Sequence, residues 1–332
     1  MRFANFFCYF FKILLLLYCL YCLPKLDKRR INVKQIQIMT NLKGLFEKSS
    51  ILTKFILTAF IALLGFCFAA AIIVLMTISF LPEGHSPNAN WLKIYQFILS
   101  IGHFVVPPIV VAFLISKTPK SFLSCRKISS VRLLFLSLVT MILAIPLINW
   151  LAEWNAGLTL PDSLAWLEQW MRNKEEAAMN ATKQLLQTST ISGLLTNILI
   201  VAVLPAVGEE LFFRGLLQKL FVQWTKNGHI AIWITALVFS AYHVQFLGFV
   251  PRLLLGAYLG YLLVWSGSIW VPVLAHFINN ALAVICYFLY ENGYITFEID
   301  TIGTGATIWL TIVCTILLVS VLFWQQKFKK LP

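Results

Sequence analysis

Thirteen residues of this chain are acidic, and only Glu209 and Glu210 stand in an apolar context, within Val203-Leu-Pro-Ala-Val-Gly-Glu-Glu-Leu-Phe-Phe-Arg-Gly215. Two of the five histidines share such a context: His243, closing Phe239-Ser-Ala-Tyr-His, and His276, opening His-Phe-Ile-Asn-Asn280. These residue types fit hydrolysis by activated water. A carboxylate takes a proton from water as general base. An imidazole either binds a divalent metal or polarises the water and the carbonyl under attack. The amide of Asn280 can donate to a developing oxyanion. No Ser or Cys has an elbow-like setting beside a base, which argues against covalent catalysis. The His-Glu-x-x-His pattern of soluble zincins is absent.

Helical spacing sorts the group. Glu210 and Arg214 are four apart, so they share a face and can pair. Glu209 is turned about 100° away and is left free to meet another helix. Gly208 is expected to let the chain break there, with Pro205 weakening the helix just before it. His276 and Asn280 share one face of their segment, and His243 follows Phe239 by one turn. Three helices can thus bring Glu209, His243, His276 and Asn280 to one pocket. Each part also has a plain structural reading. A lone intramembrane His is often a packing residue, an ion pair can be architectural, and an Asn can be interhelical glue. Buried charge costs at least about 2.5–3.5 kcal/mol on insertion scales. Several such groups gathered on the chain's only apolar-context acids therefore favour a site. His103, near Pro107 and Pro108, reads as packing, and His85 and His229 at loops or span edges carry no role.

The elements that position these groups must lie in a membrane. Sixty per cent of the 332 residues are hydrophobic and 12 % are charged, and the mean hydropathy is +0.83. Soluble chains carry about 25 % charge. A soluble enzyme, a disordered protein and a nucleic-acid binder are therefore excluded. The net charge of +13 comes from short basic runs between apolar stretches, as the positive-inside rule requires. Seven cysteines lie mostly in apolar runs, with Cys19 and Cys22 the one C-x-x-C pair. They read as small apolar side chains.

A membrane helix takes about 20 apolar residues. Eight stretches qualify: about 55–81, 94–115, 132–152, 191–207, 229–248, 251–265, 268–290 and 304–325. Residues 211–224 read as an apolar piece too short to span alone. Basic segments 24–54 and 116–131, Lys219 with Lys226, and the tail alternate with the base-free loops 82–92 and 291–303 and the acidic-leaning loop 153–190. That alternation puts both ends of the eight-span core in the cytoplasm, with Arg252 the one dissenter. Glu209 is then expected at the cytoplasmic end of the fourth span. Trp166, Leu167, Trp170 and Met171 beside Arg172, Lys174, Glu175 and Glu176 predict an amphipathic surface helix. Four regions follow. Residues 1–38 are an N-terminal apolar extension, either an extra span or an upstream start before Met39. Residues 39–190 hold the first spans and the amphipathic loop, 191–290 the catalytic core, and 291–332 the last span and basic tail.

At the polar residues the sequence resembles the CAAX protease and bacteriocin-processing (CPBP) family of intramembrane proteases, which includes the type II CAAX prenyl endopeptidase. The family pattern of Glu-Glu-x-x-x-Arg, Phe-x-x-x-His and His-x-x-x-Asn is present as Glu209-Glu210-Leu-Phe-Phe-Arg214, Phe239-Ser-Ala-Tyr-His243 and His276-Phe-Ile-Asn-Asn280. The likeness covers about 190–290. It implies an all-α fold of about eight transmembrane helices around a polar intramembrane cavity open to the cytoplasm. It also implies peptide-bond hydrolysis, with Glu209 and His243 activating water and His276 and Asn280 stabilising the oxyanion. Glu210, Arg214 and Phe239 would support them. The family is labelled metalloprotease, so Glu209, His243 and His276 could hold a divalent metal such as zinc with one open position; direct activation by Glu and His is the alternative. The expected partners are membrane lipid and a peptide or protein substrate entering from the membrane or cytoplasmic face, with no nucleic acid. The expected location is the plasma membrane. Two other functions fit the same residues: a non-catalytic immunity or scaffold protein on this fold, and a proton-coupled transporter, which the absence of internal repeats disfavours.

Overall fold

The computed structural model describes residues 42–82, 87–128 and 130–327. The N-terminal extension, His85 and the end of the basic tail lie outside them. Among the described residues there are helices and no strands. They are α1 (Ile51–Phe80), α2 (Ala89–Ile115), α3 (Val131–Ala156), the amphipathic α4 (Ala165–Leu186), α5 (Ile191–Thr225), α6 (Gly228–Tyr242), α7 (Phe249–Ser266), α8 (Trp270–Glu291) and α9 (Ile308–Gln326). Seven are long and apolar enough to cross a membrane; α6, at 15 residues, is a shorter apolar helix. The chain is a polytopic all-α membrane protein.

The helices begin where a side chain satisfies their first N–H groups. Ser50 accepts from Thr53 N, Asn88 from Asn90 N and Trp91 N, Ser130 from Leu133 N, Thr190 from Gly193 N, and Asn227 from His229 N and Ile230 N. Inside the membrane every backbone group must find a partner in protein. The bundle can then afford irregularity only where side chains repair it. α2 and α5 each widen into a π turn just before prolines: Ser100–Val105 ahead of Pro107 and Pro108, and Ile198–Val203 ahead of Pro205.

Three expectations change. The helix does not break at Gly208. α5 runs on through a second π segment, Glu210–Leu217, to Thr225, so residues 211–224 are its C-terminal part and Lys219 lies inside a helix. Gly208 serves close packing instead, since a Cβ there would lie 2.9 Å from Phe104 Cβ on α2. The span expected at 229–248 stops at Tyr242, because Val244 turns the chain with φ +52. The core between α2, α5, α7 and α8 is aliphatic, with Val111, Ala112, Ala206, Leu216 and Leu263 buried together.

Candidate active site

The site is built from α5, α6 and α8, with α7 behind it. Glu210 and Arg214 are both fully buried, and Arg214 Nη1 donates to Glu210 Oε1 at 2.7 Å. The same Oε1 accepts from His276 Nδ1 at 2.9 Å. Arg214 Nη2 donates to the Gly256 carbonyl of α7 at 3.0 Å, and its guanidinium lies 4.3 Å from the centre of the Phe239 ring. Phe239 also meets His243 and His276 edge-on, with centroids 5.0 and 6.1 Å away. One aromatic ring thus forms a shelf for the cation and a wall for both imidazoles. Gly256 permits this approach, since a Cβ there would sit 3.1 Å from Phe239 Cδ1.

Hydrogen bonding fixes both histidine tautomers. His243 Nδ1 faces the Phe239 carbonyl at 2.8 Å, which only accepts, so Nδ1 carries the proton. His276 Nδ1 faces a carboxylate and is likewise the donor. Each neutral ring therefore keeps an unprotonated Nε2. Glu209 is half-buried, has no hydrogen-bond partner among the described residues, and lies within electrostatic reach of His276, Glu210, Arg214 and Arg252. Helical offset separates the two glutamates as the spacing requires: one is locked, its neighbour is open.

Asn280 is engaged rather than free. Its Nδ2 donates to the Val201 carbonyl at 3.2 Å, and its Oδ1 accepts from Asn279 Nδ2 at 3.2 Å. Pro205, four residues after Val201, has no N–H to give that carbonyl. Asn280 therefore repairs the proline and ties α8 to α5, with one amide N–H left over. His103 is wedged among the rings of Phe66, Phe104, Phe212 and Tyr242, a packing environment.

Several residues at the site are not apparent from the motifs. After His243 the chain runs through Val244, a β-branched residue in the left-handed region, a strained conformation that persists only where its surroundings hold it. Buried Asn155 at the end of α3 provides one clamp, giving Nδ2 to the Phe246 carbonyl at 3.0 Å and accepting from Val250 N at 2.9 Å. Glu175 of α4 provides another, accepting from Gln245 Nε2 and Leu247 N, both at 3.3 Å. Trp170 of α4 packs on Phe246 with centroids 5.4 Å apart. Arg252 donates to the Gln245 carbonyl and side chain at 3.1 and 3.2 Å and lies within reach of Glu175, Glu209 and His243. Its exception to the charge rule was the signal available in the sequence; the other clamps left none.

Among the described residues no three His, Cys, Asp or Glu side chains are grouped to hold a metal ion. No step below runs through a metal. Glu209 also stands sixteen residues, roughly 24 Å, before the end of α5. It lies at mid-helix, away from the cytoplasmic end expected for it.

This is an integral membrane protein of many helices with a carboxylate–guanidinium–imidazole cluster buried between them. Residues 191–282 match the family described as Type II CAAX prenyl endopeptidase Rce1-like. The chain is also similar to "Uncharacterized protein YpbD" of Bacillus subtilis (strain 168), with 31 % identity over 102 residues. The matched stretch is 30 % of this chain and 49 % of that protein, so the chain spans about half the length of the curated relative it matches. No solved structure matches the chain.

Proposed function

We propose that the protein is an intramembrane endopeptidase that hydrolyses peptide bonds of membrane-associated proteins or peptides by direct activation of water. The observation that carries this reading is the division of labour between adjacent carboxylates. Glu210 is occupied by Arg214 and His276, while Glu209 has no hydrogen-bond partner among the described residues and lies within electrostatic reach of His276. Glu209 takes a proton from water as the oxygen attacks the scissile carbonyl, and later passes it to the leaving amine. His243, with Nδ1–H held by the Phe239 carbonyl, accepts a hydrogen bond from the same water at Nε2 and aims it. His276, taking a second proton from solvent at Nε2 before the attack, donates it as a hydrogen bond to the oxyanion, with Glu210 balancing the charge. The remaining N–H of Asn280 is a second donor toward it. The plasma membrane, with the basic helix ends on the cytoplasmic side, is the proposed setting.

The test is cleavage of lipid-anchored peptides by the purified full chain reconstituted in vesicles. Wild-type protein cleaves, Glu209→Gln loses roughly 10²–10⁴-fold in rate, and a chelator leaves the rate unchanged. A folded wild-type protein that cleaves nothing across a peptide library, or full activity in Glu209→Gln, overturns the proposal. Loss of activity on chelation that added zinc restores would return the metal to the mechanism.

A further inference from the structure

α7 has two working faces. One holds the site through the Gly256 carbonyl on Arg214 and the Gly260 carbonyl on Gln218. The other floors a cleft of about 490 Å³, walled by α6 on one side and by α3 and α9 on the other. Trp233 and Leu254, which line it, are exposed on the membrane-facing surface, so the cleft opens sideways into the bilayer.

Its polarity runs along its length. At one end Leu147, Leu151, Pro251 and Leu254 supply only hydrocarbon. At the other, His229 Nδ1 pairs with Tyr261 OH at 2.9 Å, and Thr140 and Tyr258 meet over buried Gln325 at 3.0 and 3.2 Å. Trp265 lines this same end, is 8 % exposed, and its indole N–H finds no acceptor among the described residues. Beyond the polar end stand two cations over a single ring. Arg132 at the start of α3 and Lys327 at the end of α9 lie 5.1 and 5.0 Å from the Trp324 centroid. From Pro251 to Trp265 the floor is fourteen residues, roughly 21 Å of helix. That is about two thirds of the ~30 Å hydrocarbon core, enough to take in the depth of one leaflet.

A leaflet-deep apolar slot with an unpaired donor at its polar end and a basic rim beyond matches a lipid amphiphile, and basic sites between membrane helices suit anionic head groups. We propose that this cleft binds one acyl chain of an anionic phospholipid from the basic-side leaflet. An ester carbonyl accepts from Trp265 Nε1–H, and the phosphate lies against Arg132 and Lys327. The site is separate from the hydrolytic centre and does not depend on that activity.

The test is native mass spectrometry of the full chain in detergent, titrated with dioleoylphosphatidylglycerol or dioleoylphosphatidylcholine. One phosphatidylglycerol should be retained in preference to phosphatidylcholine by roughly thirtyfold, the weight of two cations at a membrane surface. Arg132→Gln with Lys327→Gln should erase the preference. Leu147→Trp, which fills the slot, should abolish retention at an unchanged melting temperature, and Trp265→Phe should weaken both lipids alike. If Leu147→Trp fails to fold, Leu318→Trp closes the same slot from α9. Undiminished retention in the filled variant, equal retention of the two lipids by wild-type protein, or displacement by free oleate alone would each overturn the proposal.

Discussion

Glu210 Oε1 accepts from both Arg214 and His276, whereas Glu209 meets no donor among the described residues. The two carboxylates should therefore fail differently. Glu209→Gln keeps size and fold and loses hydrolysis. Glu210→Gln strands a fully buried guanidinium, at a cost of about 3–5 kcal/mol for breaking a buried pair, and also releases His276. It should melt early and lose activity with its structure. Replacing Glu210 and Arg214 together by leucine should recover melting temperature but not activity, because His276 still lacks its partner. Scanning calorimetry beside the cleavage assay separates these outcomes, and a fully stable, inactive Glu210→Gln would reverse the assignment. Asn155 can be tested in the same way. Asn155→Ala leaves the Phe246 carbonyl and Val250 N–H unpaired behind a strained Val244. Displacement of His243 by about 1 Å should lower kcat by up to roughly 10²-fold with KM held; an unaltered kcat would show that His243 does not depend on the clamp.

At the scale of elements, α5 and α2 bend their hydrogen-bonding pattern at prolines and meet where Gly208 admits Phe104. α4 is latched at its own start. Glu168 accepts from Leu160 N at 2.8 Å and from Arg172 Nε and Nη2 at 2.9 and 2.8 Å. The Leu160 N–H, and then the Arg172 guanidinium, hold this carboxyl below its ordinary value of 4.5. A depressed folded-state value stabilises above the ordinary value, and the contribution is lost as pH falls through the lower one. The latch is thus intact at pH 7 and loosens only in acid below about 4.5. Amide exchange at Leu160 reads it: protection constant from neutral pH down to that range, then falling. Glu168→Ala should lack this protection at every pH, and early loss of wild-type protection near pH 6 would remove Glu168 from the role.

Across the whole molecule, Lys48, Arg126, Arg132, Lys226 and Lys327 gather at one set of helix ends, while Glu153, Asp162, Glu291 and Asp300 lie at the other. The positive-inside rule predicts that the first set is cytoplasmic. A cysteine at Asn227 should then react only with membrane-permeant maleimide in intact cells, and one at Asn292 with the impermeant reagent as well. Labelling in the opposite sense would invert the bundle. The His243 loop joins the α4 side of the molecule, at the helix ends opposite Lys226.

Hydropathy and loop charge were enough to place the chain in a membrane as an all-helical bundle, because a bilayer admits so few backbone solutions that composition nearly dictates the class. Helical offset alone also separated the paired Glu210 from the open Glu209. Other features depend on contacts between residues far apart in sequence, which no local pattern encodes. The continuation of α5 past Gly208 was set by packing on Phe104. The occupation of Asn280 was set by the Val201 carbonyl, which Pro205 cannot serve, 79 residues earlier in the chain. The clamp on His243 comes from Asn155 and Glu175, residues that look ordinary in their own segments. Only the tertiary structure shows that they meet one strained loop.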